Sequence, residues 1–432
     1  MRTLVSERVK HYFKPSPVNI VFWLLFFLHS FFIFYGLETR HGFEWDQVDN
    51  AWAAKNILVD QNFPLVGMVA KQNSGFYIGP LYYYYVAPFY FLTNLDPIAS
   101  VFIAGITGVI TFFVFYFFIK RIFSEPVALV TLFIYTVSIY IISADRTQWP
   151  VNFLAPVSII IFYFLYKIVS GSEKYILGLA LALGLSWQLN FTAIFFFIIA
   201  FFALPFFPRT KKSLRYLLLS LPIIIVFFIP NVLYDILNTG TSSRHLNSYI
   251  NEYYHGFHLT RVAQLAKDAF IEFAGIFDNF FIKQLRYLFI PLFFLIYLKG
   301  SLAGKRLLLC YLILLWFVIP WAVFSVYKGE ITNYYFSLTR PITLMVLAFI
   351  TVWIYKRKFL PAKIGVLFFW GFFSVINITQ FFLPVHRPLS EHRKNVEGKL
   401  EAGSVIEFSP GNPESYLYYV YTRNSNAKVP TR

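Results

Sequence analysis

Residues 97–121 read PIASVFIAGITGVITFFVFYFFIKR, an uncharged run that ends at Lys120 and Arg121. About 20 apolar residues in an α-helix cross the roughly 30 Å of hydrocarbon in a bilayer. Basic residues that flank a membrane helix concentrate on its cytoplasmic side. This stretch therefore predicts a membrane-spanning helix that ends inside the cell.

Similar runs recur along the 432 residues, of which 58% are hydrophobic and 13% are charged. An ordinary soluble domain has about 45–50% apolar and about 25% charged residues, so a soluble fold is excluded. We expect an all-α polytopic membrane protein with about eleven transmembrane helices. The predicted spans lie near residues 18–37, 97–118, 127–142, 151–166, 176–190, 191–207, 216–234, 285–298, 307–327, 338–355 and 363–382.

The direction of these spans follows from the basic residues between them. Alternating directions put most of the Lys and Arg links on the inner side. A membrane domain would then cover residues 1–385, with the first loop (38–96), a second large loop (235–283) and a C-terminal tail (386–432) outside. Within the first loop, residues 79–92 are apolar but short and predict an interfacial or re-entrant helix. We expect an integral plasma-membrane protein of a prokaryote, with its active site facing outside.

The net charge of +16 arises mostly from these inner links. Such residues fix topology and meet anionic lipid head groups, so we expect membrane lipids and no nucleic acid as partners. The single Cys310 lies in an apolar run, which excludes a disulfide framework and a cysteine-based metal site.

The first loop opens with three carboxylates, Glu44, Asp46 and Asp49, set among tryptophans. On a helix, Asp46 and Asp49 share a face. One carboxylate could act as general base while the other orients it or helps to hold a divalent cation such as Mg or Mn. The alternative is an amphipathic surface helix with acidic residues near its N-terminus for dipole reasons.

A second group in the first loop combines Lys71 with glycines and the tyrosines Tyr77 and Tyr82. A lysine cation, a flexible backbone and amphipathic rings at an interface suit an anionic lipid phosphate. The alternative is a tight turn before an aromatic interfacial anchor.

The acidic motif after the first helix, the Gly-Pro-Leu-Tyr-Tyr element at residues 79–83 and the basic end of the next span resemble the GT-C membrane glycosyltransferases. The nearest branch looks like family 39, with protein O-mannosyltransferases and lipid A aminoarabinose transferases. The resemblance implies a polyprenyl-phosphate sugar donor, a lipid, glycan or protein acceptor, and an inverting transfer outside the membrane. By position it makes Asp46 the general base. Many members have Asp-Glu there, whereas this chain has Asp46-Gln47, so Asp49 is the candidate substitute for the glutamate.

Residues 143–152 match a family pattern in which an Arg stands near a Trp or Pro. Arg146 would hold the donor phosphate, while Asp145 and Trp149 would contact substrate. The alternative is a charged pair that caps a helix end. Gln188 and Asn190, at the outer end of a span, would face a cavity or else join helices through hydrogen bonds.

Later basic residues are secondary candidates. Lys328 and Arg340 would contribute to the donor phosphate site. His255 and His258 share a possible helix face, but the spacing defines no third metal ligand, and no metal site is assigned.

Two other functions fit the same sequence. A flippase would move a lipid-linked sugar without reacting with it and would need no carboxylate base. An assembly protein would use its outer loops to bind partners. The sequence does not name the sugar or the acceptor.

Overall fold

Helices make up almost all regular structure in the computed structural model, which describes residues 16–71, 74–254, 256–299 and 304–423. These parts contain nineteen α-helices. The first ten are α1 (Pro17–Phe34), α2 (Trp45–Leu58), α3 (Leu81–Leu92), α4 (Ile98–Ile122), α5 (Glu125–Val137), α6 (Ile139–Asp145), α7 (Leu154–Val169), α8 (Tyr175–Trp187), α9 (Ile194–Ala203) and α10 (Lys211–Leu237). The others are α11 (Thr241–Tyr253), α12 (Leu259–Leu265), α13 (Ile271–Ile276), α14 (Phe289–Leu298), α15 (Gly304–Ser325), α16 (Arg340–Tyr355), α17 (Leu360–Phe381), α18 (Leu389–Glu401) and α19 (Pro413–Thr422).

Short 3₁₀ segments extend several of these helices. They are Pro150–Phe153, Phe191–Ala193, Leu204–Phe206, Asp268–Phe270, Phe281–Tyr287 and Asn333–Thr339. The segment 150–153 runs directly into α7, and 333–339 runs directly into α16. Each pair therefore forms one longer apolar unit.

Each of the eleven predicted spans falls on one of these helical units. Among the described residues, seven units are long and apolar enough to cross a membrane. Two bent pairs raise that number to nine: α5 with α6, bent by 75°, and Phe281–Tyr287 with α14, bent by 63°. Two remaining apolar segments, α8 and Phe191–Phe206, are shorter. The all-α polytopic fold is confirmed, and the count of eleven stays a prediction.

The membrane helices enclose one large apolar core, while α10 lies at its edge. Only 6% of the apolar window of α10 is buried, so side chains such as Ile225 and Leu237 are exposed. In water this surface would be a costly apolar patch, whereas lipid solvates it. The molecule is an integral membrane protein.

A second apolar core joins the first loop to the C-terminal tail. The ring of Tyr416 is fully buried, lies 5.0 Å from the ring of Trp52, and its hydroxyl donates to the carbonyl of Leu95 at 2.9 Å. The backbone N–H of Leu389 donates to the carbonyl of His41 at 2.8 Å. We call the unit formed by α2, α3, α18 and α19 the cap.

Candidate active site

A cavity of about 840 Å³ lies where the cap meets the membrane helices. Its walls come from α2, the loop after α2, α3, the segments that precede α7, α9 and α16, and one residue of the C-terminal tail. The lining residues are Trp45, Asp46, Asp49, Ala53, Asn56, Asn62, Pro64, Gly67, Met68, Val69, Ala70, Lys71, Tyr77, Ile78, Tyr83, Trp149, Pro150, Val151, Leu189, Asn190, Tyr334 and Pro410. A space of this size accommodates a drug-sized ligand.

Helix α2 carries both candidate carboxylates into this cavity. It starts with a capping box in which the N–H of Glu44 donates to Oε1 of Gln47 at 2.8 Å. Nε2 of Gln47 then donates to the carbonyl of Gln148 at 2.7 Å, which ties α2 to the segment before α7. Gln47 therefore supports the position of Asp46 and offers no second carboxylate.

The two carboxylates have different surroundings. Burial, together with the nearby charge of Asp49, raises the pKa of Asp46 to about 6. Asp49 accepts a hydrogen bond from the hydroxyl of Tyr83 at 2.5 Å. A carboxylate with a pKa near neutrality is suited to accept a proton at physiological pH.

A short backbone ladder after α2 presents Lys71 to the cavity. The N–H of Gly67 donates to the carbonyl of Ile78 at 2.9 Å, and the N–H of Ala70 donates to that of Phe76 at 2.9 Å. Lys71 lies at the far end of this ladder. Its ammonium donates to the hydroxyl of Tyr327 at 2.8 Å and to the carbonyl of Glu330 at 3.1 Å.

A second, apolar cavity of about 190 Å³ adjoins the first. Lys71, Ala70 and Asn190 line both cavities. The other walls of the second cavity are mostly aromatic and aliphatic: Phe76, Phe191, Thr192, Ile194, Phe195, Tyr249, Ile250, Tyr253, Tyr254, Val323, Phe324, Val326, Tyr327 and Tyr335. Lys71 thus lies between a cavity that contains two carboxylates and an apolar groove, the second cavity.

One family model and three solved structures bear on this arrangement. A family model described as dolichyl-phosphate-mannose-protein mannosyltransferase matches residues 78–234. ArnT from Cupriavidus metallidurans, solved with undecaprenyl phosphate, is similar in structure with a TM-score of 0.56 at 13% identity, over 93% of this chain and 68% of that one. The oligosaccharyltransferase of Archaeoglobus fulgidus with Zn and sulfate gives 0.54 at 12% identity, over 95% and 57%. AglB of the same organism, in complex with an inhibitory peptide and a dolichol-phosphate, gives 0.54 at 12% identity, over 96% and 60%. The chain has the GT-C fold.

The GT-C fold confirms the architecture that the sequence resemblance implied. A comparison with curated proteins finds no match. The family-model match includes Trp149 and Asn190 but begins after Asp46 and Lys71. The roles of those last two residues therefore depend on the geometry of the cavity.

Six predicted site residues lie together in the cavity of this GT-C fold: Asp46, Asp49, Lys71, Tyr77, Trp149 and Asn190. The indole N–H of Trp149 donates to Oδ1 of Asn152 at 2.6 Å, and its ring lies 5.0 Å from that of Tyr334. Oδ1 of Asn190 accepts from the N–H of Thr192 at 3.0 Å and so caps the 3₁₀ segment before α9. These hydrogen bonds fix the positions of Trp149 and Asn190 at the wall of the cavity.

Arg146 has a different role from the predicted one. Its guanidinium is buried and donates to the carbonyls of Ile33 at 3.1 Å, Tyr35 at 2.7 Å and Arg40 at 3.3 Å, and also to that of Phe32. The last carbonyls of a helix have no partner within it, and an arginine can satisfy them. Arg146 therefore caps α1 and does not line the cavity, which agrees with the helix-capping alternative for Arg146 but not for Asp145.

Asp145 and Arg340 also lie outside the cavity, in a buried ion cluster. Nε of Arg340 donates to Oε2 of Glu272 at 2.8 Å, and its Nη1 lies 3.8 Å from Oδ1 of Asp145. Asp145 further accepts from the hydroxyl of Tyr135. Because its charge is already neutralised by two carboxylates, Arg340 is not placed to hold a donor phosphate. The two residues instead connect α6, α13 and α16.

Tyr82 and Gln188 are buried beside the cavity and do not line it. The hydroxyl of Tyr82 accepts from Nε2 of Gln148 at 2.9 Å. Gln188 accepts from the N–H of Leu81 at 3.2 Å and donates to the carbonyl of Phe227 at 2.6 Å. Both residues link separate segments of the chain through hydrogen bonds. For Gln188 this agrees with the alternative interpretation, in which the residue joins helices.

Glu44 and Lys328 are exposed, and neither lines the cavity. Glu44 is the N-cap residue of α2. Lys328 lines a separate cavity of about 320 Å³ with His258 and Arg261. That cavity also touches Tyr327, whose hydroxyl accepts a hydrogen bond from Lys71.

The structure adds lining residues that the sequence did not single out, notably Asn56, Asn62, Tyr334 and Pro410. Asn56 could have been found, because it lies on the same face of α2 as Asp49. Within the described ranges, no group of three or more His, Cys, Asp or Glu side chains could hold a metal ion, and His255 lies outside those ranges. The divalent cation stays a prediction.

Proposed function

We propose that the chain is a glycosyltransferase that moves a sugar from a polyprenyl-phosphate donor to an acceptor hydroxyl on the outer face of the membrane, with inversion and with Asp46 as general base. One observation carries the proposal: Lys71 lines both the carboxylate cavity and the adjoining apolar cavity. A lipid-linked sugar has the same order of parts, with an isoprenoid chain, a phosphate and a sugar.

The donor would occupy both cavities at once. Its first isoprene units suit the aromatic and aliphatic walls of the groove, where burial of apolar surface is favourable. Its phosphate suits the ammonium of Lys71, held by Tyr327 and Glu330. The structures of ArnT with undecaprenyl phosphate and AglB with a dolichol-phosphate support a donor of this class.

The transfer needs one proton acceptor and one stabilised leaving group. The Asp46 carboxylate removes the proton of the acceptor hydroxyl, and the oxygen forms a new bond to the anomeric carbon. The bond from that carbon to the phosphate oxygen breaks, and its electron pair leaves with the polyprenyl phosphate. Attack from the side opposite the leaving group inverts the anomeric centre. Lys71 stabilises the charge that develops on the phosphate.

Asp49 would orient the acceptor rather than deprotonate it. It is hydrogen-bonded to Tyr83, and its charge contributes to the raised pKa of Asp46. The acceptor is a lipid, a glycan or a protein hydroxyl, and a divalent cation such as Mg or Mn would join the donor phosphate if the reaction uses one.

The membrane orientation follows from the charges. Lys120 and Arg121 end α4, at the opposite end of that helix from the cap. By the positive-inside rule, the cap and its cavity would lie on the outer face. The membrane would be the plasma membrane of a prokaryote.

Lys71→Gln tests the donor site. The variant should bind undecaprenyl phosphate about 10-fold or more weakly, because a charge-assisted hydrogen bond contributes about 1.5–3 kcal/mol. The measurement is saturation binding of labelled undecaprenyl phosphate to purified protein in lipid nanodiscs. Lys283→Gln removes a charge in an exposed ion pair with Asp278 and should leave affinity unchanged. Equal affinity of Lys71→Gln and the parent chain would contradict this donor site.

A further inference from the structure

The tail residues Ser409–Asn412 form a tight turn at the edge of the active cavity. The N–H of Asn412 donates to the carbonyl of Ser409 at 3.1 Å, Pro410 occupies the second position, and Gly411 has a φ of +75°. Proline followed by a residue of positive φ is the signature of a type II turn, which favours glycine at that third position. Pro410 lines the cavity itself.

Gly411 also lies directly against Trp45. A Cβ atom placed on Gly411 would lie 2.0 Å from Cε3 of the indole. Only a glycine lets the backbone approach an aromatic ring this closely. One side of the indole is therefore covered by the turn, yet 56% of Trp45 remains exposed, and the residue lines the cavity beside Asp46.

The turn is held by the helix that follows it. The N–H of Ser409 donates to Oγ of Ser415 at 3.1 Å, and Oδ1 of Asn412 accepts from the N–H of Glu414 at 2.9 Å to cap α19. Helix α19 is itself fixed in the cap by the buried ring of Tyr416. Trp45 thus packs against a turn that is hydrogen-bonded to the start of α19.

The chemistry of this wall indicates what it contacts. Trp45, Asp49, Ala53 and Asn56 are spaced four, four and three residues apart and so form one face of α2. They offer a flat aromatic surface, a carboxylate and an amide, which suit the C–H and O–H groups of a sugar ring. Among the described lining residues the only cation is Lys71, which we assign to the donor phosphate.

We infer that Trp45, supported by the turn Ser409–Asn412, forms the acceptor wall of the cavity and selects an uncharged, hydroxyl-bearing carbohydrate as the acceptor. This inference rests on the proposed transfer reaction. It makes Trp45 a specificity-determining residue, and it gives the C-terminal tail a direct part in the site.

The first test measures access without requiring any transfer. Because Cys310 is the only cysteine of the chain, Cys310→Ala with Asn56→Cys places a single thiol in the cavity. Its labelling by methyl methanethiosulfonate is compared with labelling by a glucosyl methanethiosulfonate, which carries the same reactive group on a sugar. Trp45→Ala should raise the ratio of glucosyl to methyl labelling rates about 5-fold or more, because removing an indole opens space for a sugar ring.

Two matched controls distinguish a local effect of Trp45 from a nonspecific opening of the cavity. Phe63→Ala removes an exposed aromatic ring from the same loop that does not line the cavity, and it should leave the ratio unchanged. Gly411→Ala should change the ratio, because the new methyl group displaces Trp45 or the turn. Gly403→Ala should not, since Gly403 has a similar φ of +68° but open space around it.

The second test measures transfer to carbohydrate acceptors from undecaprenyl-phosphate sugars. Trp45→Ala should raise the acceptor KM about tenfold and leave the donor KM unchanged, because the lost contact is on the acceptor side only. Phe63→Ala again serves as control.

The outcomes of the two tests are distinguishable. If Trp45→Ala leaves the labelling ratio of the Cys310→Ala, Asn56→Cys protein unchanged, Trp45 does not form a wall of the cavity. This conclusion holds whether or not the protein transfers sugar. A raised ratio with no transfer by the parent chain supports the wall and overturns the proposed reaction. Transfer with an unchanged acceptor KM, or with donor and acceptor KM raised together, overturns the acceptor role.

Discussion

The carboxyl of Asp46 sets the pH at which the proposed reaction can proceed. Its pKa is raised to about 6, chiefly by burial, and the reaction needs the ionised form. We therefore expect kcat/KM to be constant above about pH 7 and to fall about tenfold for each pH unit below about 6. The measurement is a profile of kcat/KM between pH 4.5 and pH 8.5 at a fixed composition of detergent and lipid.

Asp49→Asn gives that profile an internal control. The charge of Asp49 contributes to the raised pKa of Asp46, so its removal should shift the acidic limb to lower pH. A limb that stays in place, or moves to higher pH, would mean that a group other than Asp46 is titrating.

Arg146 should matter for stability and not for donor affinity. In Arg146→Lys, one ammonium cannot reach the four carbonyls that the guanidinium satisfies, and each buried unsatisfied group costs about 1–3 kcal/mol. We expect a clearly lower Tm in detergent, with undecaprenyl phosphate affinity within about twofold of the parent for the folded protein. The exposed Arg209→Lys should change neither quantity. Weakened lipid binding at an unchanged Tm would restore the original prediction.

The predicted carboxylates and the predicted lysine that line the cavity share one property. Asp46 and Asp49 follow shortly after α1, and Lys71 lies in the same loop before the next span, so their side of the membrane could be predicted from the chain. Asp145, Arg146 and Arg340 have the same chemical character but point into the protein. Residue type indicates that a buried charge needs a partner, whereas the partner, here Glu272 or the end of α1, depends on the packing of distant helices.

Helix α2 and the C-terminal tail are separate in sequence but fold as one element of the cap. Tyr416→Ala should release the tail, because a large buried aromatic side chain contributes about 3–5 kcal/mol. We expect faster limited proteolysis within residues 389–423 while the membrane helices stay protected. Val405→Ala, at a site that is 62% exposed, is the control. Unchanged cleavage in Tyr416→Ala would show that the tail is held by other contacts.

Apolar length predicted the membrane helices well, because lipid thickness imposes it. The bends were not predicted: α5 and α6 are separated by the extended backbone of Ser138, and an apolar run gives no sign of a break at such a residue.

The tail was predicted only as a polar segment. The tail packs on the first loop through the contact between Trp52 and Tyr416, which are more than 360 residues apart in the sequence. A local sequence pattern cannot predict such a contact.

At the scale of the whole molecule, two features of the GT-C fold combine. The cap supplies carboxylates and an aromatic wall, and the membrane helices supply an apolar groove, with Lys71 between them. From the positive charges at the ends of the helices we expect this junction to lie on the outer side of the membrane. The junction itself arises from a loop ladder and the long connection between α15 and α16, and neither has a strong sequence signal.

The most direct measurement is the release of undecaprenyl phosphate from undecaprenyl-phosphate-linked sugars, by the parent chain and by Asp46→Asn in lipid nanodiscs with carbohydrate acceptors. We predict release by the parent, with a rate in Asp46→Asn that is lower by about 10²- to 10⁴-fold. The variant should keep the donor affinity and the Tm of the parent. The amide of Asn has the same shape as the buried carboxylate of Asp46 and carries no charge that burial would penalise. Saturable donor binding with no release by the parent chain, or equal release by the two proteins, would contradict a transferase that uses Asp46 as its base.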